Sequence, residues 1–121
     1  MLLAGRCVWL DDRGGGHLYL FLTECVGNPP QTIMVNVTSW RRGLDETCIL
    51  SPNDHPNITK KSIIYYEDAC LIEKWRSKII LRDCSNAPPI SQELLVKIQQ
   101  GLCQSDETPP TVKDFYQKHH T

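Results

Sequence analysis

The sequence predicts a mainly β domain of the α+β class, a small barrel or sandwich with helices near its C-terminus. Three observations lead to this prediction. The chain has 121 residues, 40% of them apolar, which suits one domain with a modest core. Short runs rich in β-branched and aromatic residues fill the first two thirds. The last third changes to the periodicity of helices.

Seven segments have the composition of strands and are bounded by turn-forming residues. The alternation is clearest in TIMVNVTS, where Ile33, Val35 and Val37 share one face of the predicted strand. Strands this short and closely spaced favour a barrel or sandwich over a parallel α/β fold. The predicted strands are RCVWL, HLYLFLT, TIMVNVTS, TCIL, SIIYY, ACLIE and KIILRD.

The connections between these segments contain typical turn residues. DDRGGG predicts a flexible hairpin, since it lacks the lysine and hydroxyl residue that end a phosphate-binding loop. VGNPPQ is a second predicted turn, and Glu67 with Asp68 forms a third. SNAPP is predicted as a linker from the strands to the helical part.

A helix is predicted directly after this linker. Ser91 is its expected N-cap, and Gly101 marks its expected end. An apolar stripe at helical spacing would pack on the strands. The stripe consists of Leu94, Leu95, Ile98 and Leu102.

Residues 105–121 are predicted as a C-terminal extension of a domain that spans residues 1–104. A short final helix after ETPP would place Val112, Phe115 and Tyr116 on one face. This helix either packs on the domain or forms an arm that docks on a partner.

Charge and hydropathy limit the classes of function. The formal net charge of −1 gives no general attraction to nucleic acid or membrane, so WRRG is the clearest local basic patch. No apolar run approaches the roughly 20 residues that span a bilayer. The N-terminal segment becomes acidic too early for a signal peptide. We therefore expect a cytoplasmic protein without membrane contact.

The six cysteines occur singly, and no CxxC pair is present. Without a predicted secretion signal, reduced and mostly buried thiols are favoured over disulfides. A zinc site built from histidine and cysteine is a minor alternative, because paired metal-ligand spacing is absent.

The segment CILSPNDHPNI places Asp54 and His55 between Pro52 and Pro56. In one interpretation His55 caps a turn while Asp54 accepts backbone amide protons. In the other, His55 and His17 act as acid and base on a phosphodiester. One histidine would take the proton of a ribose 2′-hydroxyl, and the other would protonate the leaving oxygen. The spacing alone favours the turn.

The segment TSWRR ends a predicted strand with groups that suit RNA. The hydroxyl of Thr38 or Ser39 could bind a phosphate beside Arg41 and Arg42, and Trp40 could stack on an unpaired base. Each feature also has an ordinary structural explanation: a threonine at a strand end, a tryptophan in the core, and arginines on a solvated surface.

The order of elements and several strings resemble the PemK/MazF family of toxins. The central match is ETCILSPNDHPNITKKSIIYYEDACLIEK, and HLYLFLT, TIMVNVTSW and SQELLVKIQQGL are similar to further family strands and the last helix. The resemblance covers residues 5–103. It implies an SH3-like barrel with helices, a homodimer, and sequence-selective cleavage of single-stranded RNA without metal or other cofactor. It also implies an antitoxin protein whose segment lies across the RNA site.

The resemblance places the family's catalytic threonine on Thr38 and its catalytic arginine on His17. Here no proline follows that position. An arginine is permanently charged, whereas a histidine must be protonated to stabilise a phosphorane. Either His17 brings different acid–base chemistry, Arg13 supplies the charge, or the site no longer cuts RNA. Asp54 and His55 are not typical of the family and would be a specialisation of this chain.

Two functions are therefore predicted. The first is a toxin-like, metal-independent endoribonuclease of a toxin–antitoxin system. The alternative is a catalytically inactive barrel of the same kind that binds a protein or nucleic acid. For the first, the predicted catalytic residues are His17, Thr38, Asp54 and His55, and the predicted substrate-binding residues are Arg13, Ser39, Trp40, Arg41 and Arg42.

Overall fold

The fold was analysed in a computed structural model that describes residues 2–12 and 15–120, except for the side chain of residue 12. It contains a seven-stranded antiparallel sheet and three α-helices, which confirms the predicted α+β class. The strands are β1 (Cys7–Asp12), β2 (Gly15–Phe21), β3 (Gln31–Ser39), β4 (Ile49–Leu50), β5 (Ser62–Ile64), β6 (Cys70–Glu73) and β7 (Ser85–Ala87). The helices are α1 (Lys74–Asp83), α2 (Gln92–Gln104) and α3 (Pro110–His119).

Strand β3 is the centre of the sheet because it pairs with three neighbours. The strand order is β4-β5-β3-β2-β1-β7, and β6 pairs with the first half of β3 while β5 pairs with its last residues. Within the described ranges the strand pairing does not close into a ring. A closed SH3-like barrel therefore stays a prediction.

Strands β1 and β2, on either side of the glycine-rich segment, form an antiparallel pair. The two strands pair from Cys7 opposite Leu20 to Asp12 opposite Gly15. Gly16 is required there, because a Cβ at this position would lie 2.0 Å from Cζ2 of Trp9. Arg13, predicted to bind substrate, lies outside the described residues.

One face of the sheet packs against α2, as its apolar stripe predicts. Ser91 is the N-cap, and its hydroxyl accepts a hydrogen bond of 3.1 Å from the amide of Leu94. The prediction that Gly101 ends the helix is wrong, since α2 continues to Gln104. The glycine serves close packing, because a Cβ there would lie 2.1 Å from the hydroxyl of Tyr66.

Helix α3 packs on the same core. Val112 is buried, and Phe115 and Tyr116 pack against the cluster that α2 and the sheet form. The ring of His119 lies 4.6 Å from that of Phe115, and the His120 ring stacks on that of Tyr116 at 4.7 Å. The described part of the extension therefore contacts the domain.

Helix α1 corrects the prediction that KIILRD is a strand. The β-branched pair Ile79 and Ile80 favours a strand by composition, but the segment lies inside the helix. Ser77 is the buried residue of this helix, and its hydroxyl donates to the carbonyl of Lys74 at 2.7 Å, about one turn earlier. The SNAPP linker also contains β7, a strand without apolar alternation that pairs with β1.

Two further features concern the predictions about membrane contact and about the cysteines. None of the helices in the described part of the chain is long and apolar enough to cross a membrane. The six cysteines are all free, with Cys7 and Cys48 buried and the other four half-buried. Burial raises the pKa of the Cys7 thiol to about 12.

Candidate functional site

The sheet has a polar face opposite the core. Ile33, Val35 and Val37 of β3 point into the core, so the alternate residues Asn36 and Thr38 lie on the other side. The backbone amide of Trp40 donates to Lys61 at 3.0 Å, which continues this alternation past the end of the strand. We call the following residues the polar face, although the apolar side chains of Val8, Leu10 and Ile63 lie on the same side of the sheet: His17, Tyr19, Asn36, Thr38, Trp40 and Lys61.

Strand pairing places His17 and Thr38 on the same face of the sheet. In the β2–β3 ladder, Tyr19 lies directly opposite Asn36. His17 is two residues back on β2, and Thr38 is two residues on along β3. The paired part of the ladder ends at Tyr19 and Asn36, so the alternation of side chains gives His17 and Thr38 the same face of the sheet but does not pair them with each other.

The neighbours of this pair are aromatic and polar. The amide Nδ2 of Asn36 donates to Oγ1 of Thr38 at 3.4 Å. The rings of His17 and Tyr19 meet edge to face, with centroids 6.5 Å apart. Tyr65 flanks the face, since its backbone amide donates to the carbonyl of Asn36 at 2.9 Å.

Trp40 is held in place while its ring stays partly accessible. The side chain is 38% exposed, so the core position considered from sequence is not adopted. Its indole N–H donates to Oε2 of Glu46 at 2.6 Å, and Nζ of Lys61 lies 4.3 Å from the ring centroid. The lysine adds a positive charge beside an aromatic surface, a combination common in binders of single-stranded nucleic acid.

The two arginines follow in the exposed turn after β3. Arg41 and Arg42 are both exposed. The hydrogen bond that Tyr65 donates to Glu67 raises the pKa of Tyr65, and the positive charge of Arg41 opposes this shift.

Ser39 is separated from Thr38 by the alternation of the strand. It lines a cavity of about 260 Å³ on the other side of β3, together with Trp9, Gly16 and Lys60. The structure thus brings Thr38, Trp40 and His17 to one face, and it places Ser39 elsewhere.

His55 is a structural residue in this fold. It is 2% exposed, its Nδ1 accepts the backbone amide of Asn57 at 3.0 Å, and its Nε2–H donates to the carbonyl of Pro88 at 2.5 Å. The ring joins the turn to the segment before α2, 33 residues away in sequence. Both ring nitrogens are engaged by backbone groups, so His55 has no ring nitrogen left for a substrate proton.

Asp54 likewise has local partners. Its Oδ2 accepts the backbone amide of Ser51 at 2.8 Å and thereby closes the short 3₁₀ turn Pro52–Asp54. The acid–base pair considered for Asp54 and His55 is therefore not assembled. The geometry fits the interpretation of a stiff, capped turn.

Sequence reasoning missed Tyr19, Asn36 and Lys61 as members of the polar face. The period-two pattern of TIMVNVTSW already carries the signal for Asn36, because its polar residues alternate with core residues. Tyr19 and Lys61 come from neighbouring strands, and only their register reveals them.

No three histidine, cysteine, aspartate or glutamate side chains are grouped to hold a metal ion within residues 2–12 and 15–120. This weighs against the zinc alternative for that part of the chain. Comparisons of the chain with protein families, curated proteins and solved structures found no match.

Proposed function

We propose that the polar face binds single-stranded RNA and that His17 and Thr38 cleave it without a metal ion. The observation that supports this proposal is the pairing of Tyr19 with Asn36, which gives His17 and Thr38 the same face of the sheet. Aromatic rings on the same face, Tyr19 and Trp40, suit stacking on unpaired bases, and Lys61 suits the phosphate backbone.

The proposed reaction is a transesterification. His17 takes the proton of the 2′-hydroxyl, whose oxygen then attacks the adjacent phosphorus. The hydroxyl of Thr38 donates a hydrogen bond to a non-bridging oxygen as negative charge develops there. The bond to the 5′ oxygen breaks as this oxygen takes a proton from water, and the hydroxide that forms takes the proton from His17 and restores the neutral imidazole. The products are a 2′,3′-cyclic phosphate and a 5′-hydroxyl.

The resemblance to PemK/MazF toxins extends the proposal to partners. It adds a homodimer, a cytoplasmic location and an antitoxin protein that covers the polar face. Size-exclusion chromatography with light scattering tests the dimer. Expression that arrests growth, with relief by a neighbouring gene, tests the antitoxin.

Cleavage is tested with end-labelled single-stranded RNA in the presence of EDTA. We expect His17→Ala to slow cleavage by at least about 100-fold, because it removes the general base. Thr38→Val keeps the shape of the side chain, removes the hydroxyl, and should slow cleavage by about tenfold. His119→Ala on α3 is the matched control and should cleave at the wild-type rate. Full activity in both the His17 and the Thr38 variants would refute the proposed reaction.

Binding of RNA without cleavage is the second candidate function. The backbone hydrogen bonds to both ring nitrogens of His55 favour it. With His55 held by backbone groups, only one of the two proposed proton carriers reaches the polar face. RNA that binds, stays intact, and is released by the Lys61→Ala change would support this candidate. RNA that neither binds nor is cut would exclude both.

A further inference from the structure

A second cavity lies between the N-terminal segment, the β2–β3 connection and helix α1. It has a volume of about 300 Å³, at the lower end of small-molecule sites. It shares no residue with the polar face. Neither the sequence patterns nor the proposed reaction give it a role.

Basic side chains predominate among the described residues that line the cavity. Lys74 and Lys78 line it from helix α1 and Arg6 from the N-terminal segment, together with the carboxylate of Glu24. The carboxylate is also engaged: its oxygens accept the backbone amide of Leu3 at 2.9 Å, and Oε2 accepts that of Ala4 at 2.8 Å. Glu24 thus anchors the N-terminal segment that forms one wall.

Helix α1 gives the cavity an amphipathic lining. Lys74, Lys78 and Leu81 lie on one face of the helix, spaced by three or four residues. Leu2 and Leu3 form an apolar wall from the N-terminal segment. The cationic groups and the apolar wall therefore border the same space.

We propose that this cavity binds small amphipathic anions, in which a phosphate or carboxylate head joins a short aliphatic chain. The head contacts Lys74 and Lys78, and the chain lies against Leu2, Leu3 and Leu81. A neutral alcohol lacks the charged contact, and inorganic phosphate lacks the apolar contact. Both should therefore bind more weakly than the alkyl phosphate or the carboxylate.

Cys25 provides an internal reporter. Its half-buried thiol lines the cavity, with Sγ 4.0 Å from Oγ of Ser77. Iodoacetate is an anion and iodoacetamide is neutral, and both alkylate the thiolate. The thiolate fraction therefore cancels in the ratio of their two rates, and the ratio reports the charge around the thiol. Cys84 and Cys103, which are also half-buried and do not line this cavity, serve as references in the same molecule.

The first measurement is this ratio at each cysteine, followed by mass spectrometry. We expect the ratio of iodoacetate to iodoacetamide to be at least about threefold higher at Cys25 than at the references, and to fall with added salt. The double variant Lys74→Met, Lys78→Met should abolish the difference. Lys118→Met on α3 is the matched control and should keep it. An equal ratio at all three cysteines, or a difference that persists in the double variant, would overturn the proposal.

The second measurement needs no variant. Hexyl phosphate or hexanoate should protect Cys25 of the wild-type protein from neutral iodoacetamide in a saturable way. Protection by only one of the two identifies the preferred head group, and protection by both shows that any anionic head suffices. Lack of protection by either, or equal protection by hexanol or inorganic phosphate, would overturn an amphipathic anion as the ligand.

Discussion

The turn around His55 and the polar face around His17 contain the two central histidines, and the fold uses them in opposite ways. His55 is buried with both ring nitrogens on backbone groups, whereas His17 is half-buried on the face of the sheet that also carries Thr38. The segment that looks more reactive, an aspartate and a histidine between prolines, is the structural one. Strand pairing, rather than local sequence, determines that His17 and Thr38 share a face.

The largest expected effect is on the free energy of unfolding, and it tests the contrast between His55 and His17. His55→Ala removes the partners of the Pro88 carbonyl and the Asn57 amide, so we expect a loss of about 3 kcal/mol in the free energy of unfolding. His17→Ala should cost about 1 kcal/mol or less. Urea unfolding measures both. Equal losses would remove the distinction between the two histidines.

The next effect tests how tightly the core side of the sheet is packed. Gly101→Ala should destabilise the protein by about 2 kcal/mol, because the new methyl group meets the hydroxyl of Tyr66, which donates to the Ile98 carbonyl at 2.8 Å. Gln100→Ala on the exposed side of α2 is the matched control and should be nearly neutral.

A double mutant tests whether the hydroxyl of Tyr66 is the reason why Gly101→Ala destabilises the protein. In a Tyr66→Phe background the clashing oxygen is gone, so the added cost of Gly101→Ala should be smaller there. An unchanged cost in both backgrounds would mean that the tyrosine hydroxyl is not the reason for the glycine.

The smallest expected effect concerns the hydrogen bond between Asp45, in the loop after β3, and Ser105, at the end of α2. Burial raises the pKa of Asp45, but hydrogen bonds from Ser105 and Thr47 outweigh it and lower the pKa below the usual 3.8. The folded state therefore favours the carboxylate. Its contribution is present above the usual pKa and is lost as pH falls through the lower, folded-state value.

Asp45→Asn isolates that contribution. Because Asp45 is partly exposed, we expect a loss of only about 0.5–1 kcal/mol near neutral pH. The difference from wild type should shrink as the pH falls from about 6 to about 3. Urea unfolding across this range measures it, and a difference that grows towards acid would contradict the assignment.

Much of the fold follows from patterns within single segments. The alternation in β3 and the apolar stripe of α2 both appear in the structure because each segment buries one face. Helix α1 and strand β7 were missed for a common reason. Ile79 and Ile80 favour a strand by composition although they lie in a helix, and Ser85–Ala87 has no apolar pattern and is a strand only through its pairing with β1.

The candidate site was partly predictable. The alternation of side chains along β3 is enough to predict that Thr38 and Trp40 lie on one side of the sheet and Ser39 on the other. The partner of His55, the Pro88 carbonyl, is too distant in sequence for any local pattern to show. The shared face of His17 and Thr38 likewise depends on the pairing of β2 with β3.

The most direct test of the central claim follows the two imidazole rings by NMR while single-stranded RNA is added. If the polar face is the RNA site, the ring signals of His17 shift progressively and saturate. Those of His55 stay in place, with the proton on Nε2 throughout. Shifts confined to His55, or RNA binding that leaves His17 unchanged, would contradict the account.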